Sequence, residues 1–224
     1  MSLVRENDRH CSTRGVPTLA AMNTSLIDHL DGLLAGGRRV MLGLVGCPGA
    51  GKSTLAETLR QAFPDIAQVV PMDGFHLANV ELQRLGFASR KGAAHTFDAA
   101  GYVALLERLR AQREGEIVYA PEFRREIEEP VAGAIPVFSE TQLVITEGNY
   151  LLLHEGPWAQ VRPLLNEVWY VDVDDTLRNE RLVARHQRFG RSREEALAWI
   201  AGNDALNAEV IAATRARADR FVQE

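Results

Sequence analysis

The chain has 224 residues, of which 46% are hydrophobic and 25% charged, enough to bury a full core in one domain and too apolar for wholesale disorder. A net charge of −5 argues against bulk nucleic-acid binding, and no apolar run approaches the roughly 18 residues of a membrane helix, so a soluble protein is expected. Cys11 and Cys47 make no disulfide framework, which points to a reducing, cytoplasmic setting.

Residues 1–17 carry Arg5, Glu6, Asp8 and Arg9 but no apolar segment. They read as a flexible arm and as neither a signal nor a transit peptide, leaving a single domain over residues 18–224. Thr18 to Ala35 has helical spacing of Leu19, Met22, Leu26, Leu30, Leu33 and Leu34, and ends at Gly36-Gly37. Val40 to Val45 is an unbroken apolar run, the pattern of a strand buried on both faces. Lys52 to Phe63 is again helical and stops at Pro64; Ala67 to Met72 reads as a second strand. Asp98 is the expected N-cap of a helix to about Arg113, with Tyr102, Leu105, Leu106 and Leu109 on its apolar face.

Ile117 to Tyr119 reads as strand, followed by a stretch broken by Pro121, Pro130, Gly133 and Pro136. Leu143–Thr146 and Val168–Val173 are two more buried strands, Asp175 to about Ala218 is largely helical, and Phe221-Val222 suits an edge strand. Strands alternating with helices imply a parallel sheet covered on both faces, an α/β three-layer sandwich. The basic residues are nearly all arginine, with lysine only at Lys52 and Lys91, so each lysine marks a place where a compact ammonium is worth testing for a role.

Between the first strand and its helix stands Gly46-Cys47-Pro48-Gly49-Ala50-Gly51-Lys52-Ser53-Thr54, a full G-x-x-x-x-G-K-[ST] match in strand–loop–helix context. Glycines let backbone N–H groups turn towards phosphate oxygens, and the helix start adds its positive dipole end. Lys52 is placed to reach the β- and γ-phosphates and the Ser53 hydroxyl to ligate Mg²⁺, so ATP and Mg²⁺ are the expected cofactors. No N-K-x-D guanine signature and no L-S-G-G-Q signature occurs, and the Asp98–Gly101 D-x-x-G match is better read as a helix start.

Two further carboxylates fall at strand ends, where ligands bind in such sheets: Asp73 in Met72-Asp73-Gly74-Phe75-His76, and Glu147 in Thr146-Glu147-Gly148-Asn149. A turn cap would also explain Asp73, and a surface turn Glu147. Together with RKGAAHTFD, YAPEF and RLVARH, these segments resemble the uridine kinase, pantothenate kinase and phosphoribulokinase family of P-loop kinases. They are most like its bacterial nucleoside/nucleotide kinase-like, or fructose transport system kinase, branch. The resemblance runs from about Val40 to Asp219.

The resemblance implies an ATP-dependent kinase acting on a hydroxyl of a small molecule. Asp73 matches the carboxylate that accepts the hydroxyl proton, and Glu147 the acidic residue by the Mg²⁺ shell. Arg178, Arg181, Arg185 and Arg188 share one arc of about 80° on a helix leading into a lid, with Arg181 and Arg185 expected over the phosphates. A solvated charged face or an RNA-facing stripe are the alternatives for that arc. His76, Arg90, His95, Tyr119 and Arg125 are expected around the acceptor, and Asn203, Asp204 and Asn207 near the nucleotide base or in caps. After Phe123, the resemblance implies an acidic residue before Arg, as relatives often carry, where this chain has Arg124-Arg125. Neither membrane nor nucleic acid is an expected partner, and a homodimer is compatible with the chain. A nucleotide-switched regulatory protein is the competing class; it would need the loop but not Asp73 beside an acceptor pocket.

Overall fold

A computed structural model of the chain describes residues 19–223, with side chains from residue 24; the expectation for residues 1–17 lies outside the described residues. The strands in chain order are β1 (Val40–Val45), β2 (Ala67–Val69), β3 (Val118–Arg124), β4 (Glu129–Val137), β5 (Leu143–Gly148), β6 (Glu167–Asp172) and β7 (Arg220–Gln223). The helices are α1 (Leu19–Leu34), α2 (Lys52–Ala62), α3 (Asn79–Leu85), α4 (Ala99–Arg110), α5 (Asp175–Arg188), α6 (Arg193–Trp199) and α7 (Ala205–Ala212).

Five strands form one parallel sheet in the order β2-β5-β1-β6-β7. β1 is central and buried at every residue, which is why its sequence is unbroken apolar. Alternate residues of the sheet feed two cores. On one face Met41, Val45, Val144 and Tyr170 pack with Tyr102, Leu106 and Leu109 of α4. On the other, Leu42, Leu44, Ile145 and Trp169 pack with Leu26 and Leu30 of α1 and Leu55 and Leu59 of α2. Helix, sheet and helix thus make the three layers expected. Among the described residues no helix is long and apolar enough to cross a membrane.

Several boundaries differ from the sequence-based ones for physical reasons. The second strand stops after Val69, short of Met72: the Val70 N–H still donates to the Ile145 carbonyl, but Pro71 has no N–H to continue the ladder. The chain instead enters a 3₁₀ turn, Met72–Phe75, which carries Asp73. The proline-rich stretch after Tyr119 is an antiparallel hairpin, β3–β4, rather than irregular chain. A two-stranded ribbon has a free edge on each strand, so Pro130 and Pro136 are tolerated there, and Pro121 sits at the irregularity between Ala120 and Glu122. Asp98 caps α4 by accepting from the Gly101 N–H at 2.8 Å. The late helical region divides into α5 and a second rod, in which a π turn at Ile200–Asp204 joins α6 to α7.

Gly74 shows how the hairpin is seated. A Cβ there would stand 2.3 Å from the Pro121 carbonyl oxygen, so only glycine lets β3 lie against the turn bearing Asp73. Gly74→Ala is expected to push the hairpin away, lowering stability by about 1–3 kcal/mol and moving Asp73. A denaturant midpoint and turnover equal to wild type would contradict this seating.

Candidate active site

The loop after β1, the 3₁₀ turn after β2 and the end of β5 converge at the carboxyl edge of the sheet. Gly51 has φ 90, a left-handed conformation that costs glycine little, and from it α2 starts directly at Lys52. Lys52 is buried, 8% exposed, and its ammonium donates to the carbonyls of Gly46 (2.8 Å) and Cys47 (3.2 Å) and to Asn149 Oδ1 (2.9 Å). Three neutral oxygens thus hold a cation at the mouth of the loop. Burial pulls its pKa down, while Glu147 and Asp73 oppose that shift.

Beside it the Ser53 hydroxyl donates to Glu147 Oε1 at 2.9 Å. Glu147 is buried, and burial, reinforced by Asp73, pushes its pKa above the ordinary glutamate value. Asp73 behaves oppositely. Burial works to raise it, but the charges of His76, Arg125, Lys52 and Arg185 together outweigh burial and hold the carboxyl below its usual range. Arg125 Nη2 lies 3.3 Å from Asp73 Oδ2. His76 Nδ1–H donates to the Asp73 carbonyl at 2.8 Å, which leaves Nε2 as the acceptor of the neutral ring. Burial lowers the His76 pKa, and the neighbouring Asp73 carboxylate opposes that shift. The two neighbouring carboxylates are driven apart, one to the ionised form and one towards the protonated form.

These groups line one cleft of about 460 Å³, which Pro48, Lys52, Ser53, Asp73, His76, Arg125, Glu147 and Arg185 share. Other expected residues lie elsewhere. Arg181 is half-buried on α5 but does not line the cleft; it stands one turn before Arg185, rotated about 40° from it. Arg90 donates to the Gly202 carbonyl at 3.0 Å, and His95 is exposed with its ring edge-on to Phe87 at 4.7 Å. Tyr119 is 55% exposed, because the alternate residues Val118 and Ala120 take the inner face of β3. Of the other α5 arginines, Arg178 packs under the loop at Gly49 and pairs with Asp175 at 2.9 Å, while Arg188 is exposed. Cys47 faces Tyr170, its Sγ 3.5 Å from the hydroxyl, and Thr54 is exposed on the first turn of α2. Asn203 and Asn207 hold the carbonyls of Lys91 (2.8 Å) and Gly92 (3.2 Å).

The cleft also contains residues that periodicity did not single out. Asn149 enters through its bond to Lys52. Arg191, beyond the end of α5, donates to His186 Nδ1 at 3.2 Å and lies 4.0 Å over the Trp199 ring; His186 Nε2–H donates to Asp204 at 2.9 Å. Lys91 reaches the cleft from the loop after α3. Its rarity in an arginine-rich chain and its place in the RKGAAHTFD segment were the signals available.

Residues 41–224 match the model of the Phosphoribulokinase / Uridine kinase family. A candidate uridine kinase of Schizosaccharomyces pombe is 34% identical over 203 residues, covering 86% of each chain. The protein YggC of Escherichia coli is 35% identical over 191 residues, covering 83% of this chain and 78% of its own. Among solved structures, a candidate fructose transport system kinase from Silicibacter sp. TM1040 superposes with a TM-score of 0.80 at 37% identity, over 92% of this chain and 100% of that one. YFH7 of Saccharomyces cerevisiae shares the fold, with a TM-score of 0.77 at 21% identity over 90% of this chain and 98% of its own.

Proposed function

The chain belongs to the phosphoribulokinase/uridine kinase family, and from that premise we propose that it is an ATP-dependent kinase whose acceptor is a hydroxyl of a small molecule. One observation carries the reading: the Asp73 carboxyl group shares a single cleft with the phosphate-loop ammonium of Lys52. A nucleotide switch needs the second group but has no use for the first.

In the proposed step the acceptor oxygen attacks the γ-phosphorus of ATP. A new O–P bond forms, the bond from the γ-phosphorus to the bridging oxygen breaks, and ADP leaves with that electron pair. Asp73 takes the hydroxyl proton. Because the transition state is loose, a weak base that orients the nucleophile is sufficient. Lys52 exchanges its loop carbonyls for phosphate oxygens, and Arg185, brought in by α5, neutralises charge on the transferring group. The donor set suits Mg²⁺: the Ser53 hydroxyl and the Glu147 carboxylate are hard oxygens 2.9 Å apart, and with nucleotide phosphates such an ion needs few protein ligands. When bound, the metal would supply neutralisation of phosphate charge. The cleft volume fits a sugar, sugar derivative, hydroxy acid or nucleoside beside the phosphates.

ADP release with Mg²⁺ against ketoses, pentoses, glycerate, nucleosides and pantothenate tests the proposal. One chemical class is expected to raise release well above background hydrolysis. Uniformly slow hydrolysis despite firm ATP binding would move the protein to the regulatory class.

A further inference from the structure

Two cations besides Lys52 and Arg185 line the cleft, Lys91 and Arg125, of which the second also pairs with Asp73. The Lys91 ammonium is half-buried and donates to Asn79 Oδ1 at 2.6 Å and to the Glu128 carbonyl, both neutral oxygens. Its third N–H has no acceptor among the described residues, and the side chain lines the cleft. Of the two carboxylates whose charges act on it, Glu129 is committed to the Asn79 backbone N–H at 3.0 and 3.1 Å, and Glu128 is exposed. The backbone beneath is tied down as well. Asn203 holds the Lys91 carbonyl, while the Tyr150 hydroxyl (2.6 Å) and Asn207 hold that of Gly92.

A long side chain has been ordered and partly desolvated with neutral hydrogen-bond partners, and the nearby charges of Glu128 and Glu129 offset only part of the cost of its burial. Arg125 shares its surroundings. Lys91 Nζ lies 5.1 Å and Arg125 Cζ 5.8 Å from the centroid of the Phe123 ring, so both cations stand against the same aromatic ring. An oxyanion in the cleft that both line would give each of them a charge-assisted acceptor. Lys91 and Arg125 both act on His76 and neither is among the charges acting on Lys52, while Arg125 also acts on Arg185 and Glu147, so Arg125 links the acceptor and phosphate sides and Lys91 stands on the acceptor side. Arg125 also touches Asp73, so the base and the anion site are one guanidinium apart, and the acceptor must be short.

We propose that Lys91 and Arg125 receive a carboxylate or phosphate carried by the acceptor, which makes it a small hydroxy compound with an anionic end. The inference rests on the kinase reading and narrows it. Matched pairs test it: glycerol against glycerate for a carboxylate, and ribose against ribose 5-phosphate for a phosphate, each with the full chain and MgATP. In at least one pair the anionic member is expected to have a kcat/KM at least about tenfold higher, and the pair that shows it names the anion. Lys91→Met is expected to raise KM for that compound by about 10- to 100-fold, with a smaller change in kcat and none in KM for MgATP; Lys91→Arg recovers part of the loss. Preference for the neutral member in both pairs overturns the inference and leaves the kinase reading standing. So does a Lys91→Met defect confined to kcat and not rescued by arginine, which would mark a purely structural lysine. No transfer to either member of either pair overturns the inference, and it overturns the kinase reading as well when the wider panel of ketoses, pentoses, nucleosides and pantothenate also gives none with ATP bound.

Discussion

Asp73→Asn is expected to lower phosphoryl transfer by about 10²- to 10⁴-fold while leaving ATP affinity at or above the wild-type level. Asparagine keeps the shape of the side chain and an oxygen for Arg125, which stands 3.3 Å away, but it cannot take the acceptor proton. The substitution also removes a negative charge that the cleft holds near Lys52 and Arg185, so the nucleotide phosphates meet no new repulsion. The pH dependence follows with a definite sign. The cations around Asp73 outweigh burial and depress its pKa, so the carboxylate form is present above the ordinary aspartate range and is lost only as pH falls below it. An acid limb in the wild-type rate above that range therefore belongs to another group and should persist in Asp73→Glu. Turnover of Asp73→Asn equal to wild type, read alongside calorimetric ATP binding, would remove Asp73 from the mechanism.

Lys52→Met should be comparably damaging, through a different term. Methionine preserves most of the unbranched stem and therefore the packing, but not the charge. The carbonyls of Gly46 and Cys47 and the Asn149 amide oxygen lose their shared donor, and Glu147 loses the cation that opposes its protonation. A stabilising group aimed at developing phosphate charge is worth about 10²–10³ in rate when deleted. The expected result is that loss in kcat with a weakened ATP affinity, whereas Asp73→Asn affects rate alone. A Lys52→Met protein with an unchanged far-UV spectrum and full activity would contradict the phosphate-loop assignment.

The two substitutions rest on features of unequal visibility in the chain. The phosphate loop was legible because its chemistry is local: glycine, lysine and serine at fixed spacing between an apolar run and a helix suffice, and Val40–Val45 and Lys52 fall where expected. Asp73 and Glu147 were legible as carboxylates at strand ends. The β3–β4 hairpin was not. Its prolines read as breaks, and nothing in a linear pattern says that a two-stranded ribbon leaves edges where proline is harmless. The acceptor side suffered from the same missing information. Tyr119 looked like a pocket residue until the hairpin register turned it outwards, and His95 and Arg90 until the loop after α3 closed against the π turn. Asn149, Lys91 and Arg191 come together only through long-range packing, which residue spacing does not encode. On α5 the helical arc was legible, but one turn separates Arg185, which faces the cleft, from Arg181, which does not line it.

The fate of the γ-phosphate tests the central claim most directly. ATP labelled at that position, incubated with Mg²⁺, the protein and the accepted hydroxyl compound, should yield label in an organic phosphate, one for each ADP formed, with the transfer lost in Asp73→Asn. Label found only in inorganic phosphate, or left on ATP that is fully bound, would contradict a kinase.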